Sequence, residues 1–403
     1  MRICIIGAGV SGLFSAIHLG YKHEIHLFEK NKEMARKLLL TGNGRCNLTN
    51  ALYGEDFLDN IVRNKKFFYS SFYHFNNFDT IDFFNKLNVE TYIDDNLKVF
   101  PKTNKAKDIK DVLVKEVQRK NNVAIHLNEE VIKIKKDNLK FIIKTIKNKF
   151  EFEIVIVATG GMSYKKTGSN GFGYKIAKEF SHNIVDLKPA LTSIRLKESL
   201  PFKALSLKNI KILAKTDEFS KSFIGDLLIS NDLLTGPVIF KISSYINRID
   251  NFKLYMDIFY DFSYEKLDQK LLSLMKIHKN SSIKNILKLM VNESLSSYLL
   301  EINEIDKKMK INQLKREDRI KIIDSLKQFE FPVKKLSSLE FATVTSGGVD
   351  VLEINPKNMQ SKIVDNLFFI GEVLDLDALT GGFNLQIAFS TAFQASDYIR
   401  RFK

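Results

Sequence analysis

The feature that most constrains this chain is its opening, a short apolar run followed at once by a glycine-rich turn. Ile3 to Ile6 predict a buried parallel strand, and Gly7-x-Gly9-x-x-Gly12 follows before a helical pattern resumes through Leu19. In such a turn the first glycine permits the bend, the second lets the backbone approach a pyrophosphate, and the third lets the helix pack on the strand. The helix N-terminus adds free N–H groups and a positive dipole end. We therefore predict a dinucleotide-binding unit here.

A second apolar run, Glu24 to Phe28, ends at Glu29. An acidic residue roughly 20 residues beyond the turn is placed to bind a ribose hydroxyl. Because a carboxylate suits an unphosphorylated ribose, the ligand is predicted to be FAD or NAD rather than NADP. The glycine pattern alone is weak evidence, but strand, turn, helix, strand and acid in this order form a specific signal.

Composition narrows the class of protein further. At 403 residues, with 44% hydrophobic content, the chain predicts two or three domains with substantial cores. No apolar run reaches the ~18 residues of a membrane helix, and the early glycine turn argues against a signal peptide. Cys4 and Cys46 form neither a disulfide framework nor a CxxC motif, which predicts a cytoplasmic protein. The seven histidines are scattered, so no metal site is predicted.

The net charge of +15, from 62 Lys and Arg against 47 Asp and Glu, brings nucleic acid or an anionic membrane into consideration as a partner. The lysines are spread along the whole chain, however, and arginine is scarce. A diffuse lysine excess is typical of a solvated surface. We therefore expect neither nucleic acid nor a membrane to be the main partner.

A loop from Arg36 to Asn50 follows the ribose acid. Its Gly, Asn and Thr content predicts irregular structure, and Arg36, Lys37 and Arg45 add positive charge. Backbone N–H groups and cations in this position suit the phosphates of a dinucleotide. Further on, Glu153 to Gly161 predicts another buried strand, which ends in small residues as a ligand-binding sheet edge requires.

The middle of the chain has a different character. Between Tyr174 and Ser346 the only glycines are Gly225 and Gly236, so no second dinucleotide fingerprint is present. Short alternating runs predict a small β-domain, and three segments of helical periodicity predict a helical insert at 267–277, 283–300 and 316–329.

Glycine returns at Val344 to Val349, and a buried strand and a closing helix follow. We therefore predict a discontinuous cofactor domain. The predicted boundaries are 1–188 and 346–403 for the cofactor domain, 189–262 and 331–345 for the β-domain, and 263–330 for the helical insert.

Four blocks of this sequence, taken together, resemble the aminoacetone oxidase-like, BaiN-type FAD flavoproteins of the glutathione-reductase structural group. The blocks span nearly the whole chain in the family's order: Arg36 to Asn50, Ala158 to Gly161, Val344 to Val349 and Gly371 to Gln386. The resemblance implies an α/β fold, a discontinuous Rossmann-like FAD-binding domain with an inserted β-barrel-like domain and a small helical domain. It also implies an FAD-dependent oxidoreductase that transfers hydride between flavin N5 and a small organic substrate, with NAD(P)H or oxygen as electron partner.

Carried over residue by residue, the resemblance assigns FAD contacts to several stretches. The pyrophosphate and adenosine ribose would be bound by Gly7, Gly9, Val10, Ser11, Gly12, Glu29 and Lys30. The phosphates and the flavin side would be lined by Lys37, Arg45, Cys46 and Asn47, and the adenine end by Val131, Thr159 and Gly160. The pyrophosphate and ribityl chain would run along Gly371, Glu372 and Asp375, and the flavin pyrimidine would face Gly382, Phe383 and Asn384.

The sequence also departs from the family's pattern. Lys165 replaces a usual proline, Gly168 to Gly173 lacks the usual Thr and Asp, and Ser230-Asn231 stands where relatives have Thr-His. These changes leave the predicted FAD residues intact but put any inherited substrate in question. No catalytic acid or base is assigned, because His182, Tyr164 and Tyr174 also suit packing or hydrogen-bonding roles.

Two functions therefore remain open. The first is a flavin oxidoreductase acting on a small metabolite. The alternative is an FAD protein that interacts with or modifies RNA such as tRNA, which the positive charge would suit.

Overall fold

The computed structural model describes residues 1–402 as an alternation of short strands and helices. The strands are β1 (Arg2–Ile6), β2 (Glu24–Glu29), β3 (Thr49–Asn50), β4 (Thr91–Ile93), β5 (Lys98–Pro101), β6 (Val123–Leu127), β7 (Val131–Asp137), β8 (Lys140–Thr145), β9 (Lys149–Phe152), β10 (Ile154–Val157), β11 (Ile184–Ala190), β12 (Ile194–Leu196), β13 (Leu205–Lys215), β14 (Ser220–Ser230), β15 (Leu233–Thr235), β16 (Lys253–Asp257), β17 (Phe329–Phe331), β18 (Val333–Leu336), β19 (Val344–Val349) and β20 (Leu367–Phe369).

The α-helices are α1 (Val10–Leu19), α2 (Gly54–Leu58), α3 (Lys65–His74), α4 (Asn77–Lys86), α5 (Ala106–Gln118), α6 (Phe172–Glu179), α7 (Pro237–Ile246), α8 (Tyr264–Ile277), α9 (Ile283–Leu287), α10 (Glu293–Ile302), α11 (Arg316–Lys327) and α12 (Phe383–Arg400). Within the described part of the chain, no helix combines the length and apolarity needed to cross a membrane.

A five-stranded parallel sheet organises the first of two units, which comprises residues 1–190 and the chain from 338 onward. Its order is β20-β10-β1-β2-β6, so the opening strand lies in the middle. β10 is apolar and buried throughout because both faces of a parallel sheet are covered. The helix after the glycine turn packs against the C-terminal helix α12. The predicted Rossmann-like α/β core is thus confirmed, and its second part returns from the end of the chain.

Three small antiparallel sheets complete this unit: β3-β5-β4, β7-β8-β9, and the ribbon β11-β19. In the ribbon, Ala190 pairs with Val344 and Ile184 with Val349. The chain leaves the unit along β11 and re-enters it along β19, so the ribbon holds both ends of the inserted segment together.

The second unit, residues 191–337, is built on a seven-stranded antiparallel sheet of order β17-β16-β13-β14-β15-β12-β18. The two edge strands β17 and β18 are consecutive in the chain and are separated by Pro332 alone. One residue cannot cross a flat sheet of seven strands, so the sheet curves until its edges meet. The predicted β-domain is therefore barrel-like, and the helices α8 to α11 belong to the same unit. The five-segment boundaries drawn from the sequence stay predictions.

One predicted helix is divided in the structure. The segment 283–300 forms α9 and α10 instead of one helix, because the side chain of Asn292 accepts a 2.9 Å hydrogen bond from the Leu295 N–H and starts a new helix. Asparagine is a strong N-cap residue, and this was the signal that periodicity alone overlooked.

His18, on α1, gives the first unit a pH-dependent stability. Its ring lies among the rings of Phe14, Phe83 and Phe393. The pKa of His18 is lowered from 6.5 to about 4, mainly by burial and also by the charges of Arg400 and Lys120, against the opposing effect of Asp397. A histidine with a depressed pKa is neutral in the folded state, while the unfolded chain takes up a proton below pH 6.5.

We therefore expect the free energy of unfolding to fall between pH 6.5 and 4, with about 3 kcal/mol attributable to His18. Denaturant unfolding at several pH values measures the effect. His18→Phe should make the decline shallower, whereas the exposed His278→Gln should leave it unchanged. Equal declines for wild type and His18→Phe would contradict this account.

Candidate cofactor site

The glycine turn has the geometry that dinucleotide binding requires. Gly7 has φ +101°, and a Cβ there would lie 2.6 Å from the Ala158 carbonyl oxygen. A Cβ on Gly12 would lie 1.9 Å from the Gly7 carbonyl oxygen, so only glycine permits this contact between turn and helix. A Cβ on Gly9 would meet nothing within 4 Å. The turn is closed at its first and third glycines and open at the second, where the pyrophosphate is predicted.

The N-terminus of α1 carries the free donors of this site. Gly9 is the N-cap residue, so no side chain caps the helix. Val10, Ser11 and Gly12 form the first turn of the helix. Their N–H groups therefore have no carbonyl of a preceding helical turn to donate to. Gly371, from the last predicted block, lies beside them, since a Cβ on it would be 2.8 Å from the Ser11 hydroxyl oxygen.

Glu29 lies at the end of β2, and its carboxylate is hydrogen-bonded to the backbone of the glycine turn. Its carboxylate accepts hydrogen bonds from the Ala8 N–H at 3.1 Å and the Asn31 N–H at 2.9 Å. The Asn31 side chain also donates to it and to the Thr167 carbonyl, which brings the 165–168 segment close to Lys30. The role of Glu29 as a ribose ligand stays a prediction.

Lys37 belongs to a polar network that joins three of the sequence blocks and the two residues directly after Gly161. Its ammonium donates to Glu372 at 2.6 Å and to the Ser163 hydroxyl at 2.7 Å. The other Glu372 oxygen accepts from Ser163 and from the Thr345 N–H, each at 3.0 Å. The Thr345 hydroxyl in turn accepts from the Met162 and Ser163 N–H groups. Segments separated by up to 335 residues in sequence thus meet in one polar network.

The other residues of the 36–50 loop differ in exposure. Arg45 is exposed, with its guanidinium 4.6 Å from the centre of the Phe100 ring. Cys46 is buried at φ +60°, and burial raises the pKa of its thiol to about 12. The thiol therefore stays protonated at neutral pH. With its amide oriented to satisfy both groups, Asn47 accepts from the Gly382 N–H at 3.2 Å and donates to the Thr49 carbonyl at 3.0 Å.

Asp375 is buried and held by a partner that the sequence did not indicate. Arg63 donates to its two carboxylate oxygens at 2.7 and 2.8 Å, and Asn64 donates at 2.9 Å. This bidentate contact with the Arg63 guanidinium fixes the orientation of the Asp375 carboxylate. Nothing in the local sequence around Arg63 marks it, because its partner lies 312 residues away.

The start of α12 is shaped by close backbone contact. Gly382 has φ +96°, and a Cβ on it would lie 2.4 Å from the Thr49 carbonyl carbon. Phe383 is buried, with its ring 4.8 Å from that of Phe57. The Asn384 side chain bonds to both the N–H and the carbonyl of Ala378. Its amide therefore braces the loop before the helix, and a flavin contact by this residue stays a prediction.

Val131, which is predicted to contact the adenine, lies close to Glu29 in the structure. Glu129 precedes Val131 by two residues, and its N–H donates a hydrogen bond to the Glu29 carbonyl. Val131 is buried at the start of β7, and Gly160 has φ +71°. Within residues 1–402, the buried hydroxyls of Thr159, Tyr174 and Ser346 lack hydrogen-bond partners. Burial and the nearby carboxylates of Glu372 and Asp375 raise the pKa of Tyr174.

Two candidate acid–base residues have different surroundings. His182 is buried, 2.8 Å from the Ser361 hydroxyl oxygen, and packs on Phe369, so it has a structural role. The Tyr164 ring lies 5.9 Å from the Lys37 ammonium. Unlike His182, Tyr164 thus lies beside the polar network.

An uncapped helix N-terminus, open space over Gly9 and unsatisfied buried hydroxyls fit a dinucleotide cofactor, and together with the Rossmann-like core they define a nucleotide-dependent α/β enzyme. Residues 1–398 match the family described as HI0933-like protein Rossmann domain. The chain belongs to this HI0933-like family. The resemblance found in the sequence is thereby confirmed, and so, at the level of the family, is its assignment as an FAD-dependent oxidoreductase. The individual FAD contacts stay predictions.

Relatives are similar along their whole length. A ribosomal RNA dihydrouridine synthase of Escherichia coli is 31% identical, with 96% of this chain and 95% of the relative covered. A 3-dehydro-bile acid delta(4,6)-reductase of Clostridium scindens is 28% identical, with 98% of each covered. Among solved structures, a quinol fumarate reductase FrdA chain of Escherichia coli has a TM-score of 0.52 at 13% identity, covering 99% of this chain and 70% of that one. That last likeness concerns the fold alone.

Proposed function

We propose that this protein is an FAD-dependent reductase of a carbon–carbon double bond conjugated to a carbonyl, and that its substrate is a uracil base in ribosomal RNA. The observation that carries the proposal is the end-to-end similarity, at 31% identity, to a ribosomal RNA dihydrouridine synthase. The alternative drawn from the sequence, an RNA-modifying flavoprotein, therefore becomes the leading candidate, although with ribosomal RNA in place of tRNA.

The names of the two relatives share one chemical feature. Making dihydrouridine saturates the C5–C6 double bond of uracil, which is conjugated to the C4 carbonyl. A delta(4,6)-reductase acting on a 3-dehydro steroid saturates double bonds conjugated to the C3 carbonyl. In both reactions a hydride adds to a carbon made electron-poor by conjugation with the carbonyl, and a proton adds to the neighbouring carbon of the same double bond. In uracil these are the β carbon C6 and the α carbon C5. NAD(P)H is the proposed source of the hydride equivalent.

FAD, when bound, supplies hydride chemistry at its N5. This chain's own residues would bind and orient the cofactor. The free N–H groups of Val10 and Ser11 would meet its phosphates, and Lys37 adds a positive charge that Glu372 holds in position. The dipole of α12 stabilises a negative charge placed near the N-terminus of this helix, by about 0.3–2 kcal/mol. Cys46 keeps its proton at neutral pH.

The test is reduction of protein-free ribosomal RNA by purified holoprotein with NADH or NADPH, with dihydrouridine detected by mass spectrometry of digested RNA. Free uridine and small conjugated enones are offered in parallel. Dihydrouridine in the RNA at a defined position supports the proposal. If enones are reduced and RNA is not, the second candidate, a reductase of small enones, replaces it; the 28% identity to the bile acid reductase favours that candidate. If no conjugated double bond is reduced, the reaction class itself is wrong.

A kinetic prediction follows from the missing second fingerprint. Between Tyr174 and Ser346 the sequence has two glycines and no dinucleotide turn, so NAD(P)H has no domain of its own. We expect the nicotinamide and the reducible substrate to use one site in turn, which gives ping-pong kinetics. Initial rates with both substrates varied should give parallel double-reciprocal lines, and a dead-end nicotinamide analogue should compete with the second substrate. Intersecting lines without competition would mean two separate sites.

A further inference from the structure

The three-stranded sheet β7-β8-β9 carries an unusual concentration of positive charge. Residues 131–152 contain seven lysines against two acidic residues, Asp137 and Glu151, a net +5 in 22 residues of a chain whose total is +15. One third of an excess that looks diffuse along the sequence therefore lies on one small sheet of the folded protein.

Strand register aligns three of these lysines. Lys133 pairs directly with Lys144, and Lys144 pairs directly with Lys149. We call these three residues the lysine row. Directly paired residues share a face, and neighbouring strands are about 5 Å apart. The alternate residues Ile134 and Ile143 are buried, whereas the row is exposed.

Two directly opposed like-charge pairs destabilise a sheet. In the described part of the chain, no carboxylate lies within salt-bridge distance of the row. Glu151, two residues after Lys149 on the same face, lies 3.4 Å from the Lys140 ammonium instead. Lys135 and Lys147 add further positive charge beside the row, in β7 and in the turn between β8 and β9. A polyanion would relieve this repulsion.

We propose that the exposed face of β7-β8-β9, centred on the lysine row, is a docking surface for the phosphate backbone of RNA. The charge of the face is complementary to a chain of phosphates, and lysine contacts of this kind position an RNA without reading its sequence. The inference rests on the proposed function, since an enzyme acting on ribosomal RNA must bind the RNA outside its reacting base.

The experiment compares two triple variants of the holoprotein. Lys133→Gln, Lys144→Gln and Lys149→Gln remove the row. Lys276→Gln, Lys279→Gln and Lys308→Gln remove three exposed lysines of the second unit, which in the described chain also lack ion-pair partners. Affinity for protein-free ribosomal RNA is measured from about 50 to 200 mM salt. Removing three phosphate contacts should make the slope of log K against log salt shallower by about 2–3 and weaken binding about 10- to 100-fold.

The control triple variant should bind RNA within about twofold of wild type. Both triple variants should keep full FAD content and unchanged turnover of a small enone, so loss of RNA docking is separated from failure of the proposed chemistry. Equal losses in the two variants, an unchanged salt slope in the row variant, or binding to anionic lipid vesicles in place of RNA would overturn the inference.

A single substitution separates docking from folding. Lys144→Glu converts both repulsive pairs of the row into attractive ones, so its Tm should rise by about 1–3 °C. Its affinity for RNA should nevertheless fall. A variant that gains stability and binds RNA as tightly as wild type would show that the row does not contact phosphate.

Discussion

Gly9→Val is expected to give a folded protein that has lost its FAD. A Cβ on Gly9 meets nothing within 4 Å, and its φ of −74° is open to any residue, so the apoprotein accommodates the side chain. The branched side chain occupies the space over the α1 N-terminus where the backbone must approach the pyrophosphate. We expect flavin affinity to fall at least about 100-fold, the equivalent of about 3 kcal/mol. The ratio of flavin to protein absorbance after reconstitution with FAD measures it.

Gly12→Val provides the contrast. A side chain at Gly12 would clash with the Gly7 carbonyl oxygen at 1.9 Å, so this variant should lose the fold as well as the cofactor. The unfolding midpoint of Gly9→Val apoprotein should match that of wild-type apoprotein, whereas Gly12→Val should melt well below both. Full FAD occupancy in Gly9→Val would show that the pyrophosphate does not lie there.

Arg63→Met is expected to destabilise the folded protein strongly. The Asp375 side chain is only 3% exposed, and without Arg63 its charge would be buried with Asn64 as its remaining side-chain donor. Removing one partner of a buried ion pair costs about 3–5 kcal/mol. We expect a loss of that size in the free energy of unfolding, measured by denaturant titration. FAD content should fall too, because the 371–375 segment borders the Ser11 end of α1.

Lys65→Met is the matched control. Lys65 follows Arg63 by two residues and pairs with Asp59 and Glu55, but both carboxylates are well exposed. An exposed ion pair of this kind contributes little to stability, because water and salt screen it. Adding Asp375→Asn to Arg63→Met should restore part of the lost stability, because it removes the buried charge. Similar losses for Arg63→Met and Lys65→Met would contradict the buried-pair interpretation.

The sequence predicted those parts of the site whose constraint is local. Gly7, Gly9 and Gly12 each have a steric reason that lies within a few residues or across one strand. Glu29 was predicted from its distance along a strand–turn–helix–strand unit. Local signals of this kind also predicted the parallel core and the return of the cofactor unit near the C-terminus.

The missed features depend on contacts between distant segments. The Arg63–Asp375 pair joins residues 312 apart, and the Lys37 network joins four separate segments of the chain. The lysine row was missed for a related reason. Its members alternate with apolar residues along β7 and β8, so the sequence shows scattered lysines, and only strand register brings them opposite one another.

The β11–β19 ribbon has a consequence for how this chain could be assembled. Because Ala190 pairs with Val344, the two ends of the intervening segment are already held side by side. Closing a loop of any length between fixed, adjacent ends adds little entropic cost as the loop grows. The segment could therefore be exchanged for another of different size, or for a short turn, without changing the strand pairing beneath it. A change in the inserted unit would in this way leave the cofactor-binding unit unchanged.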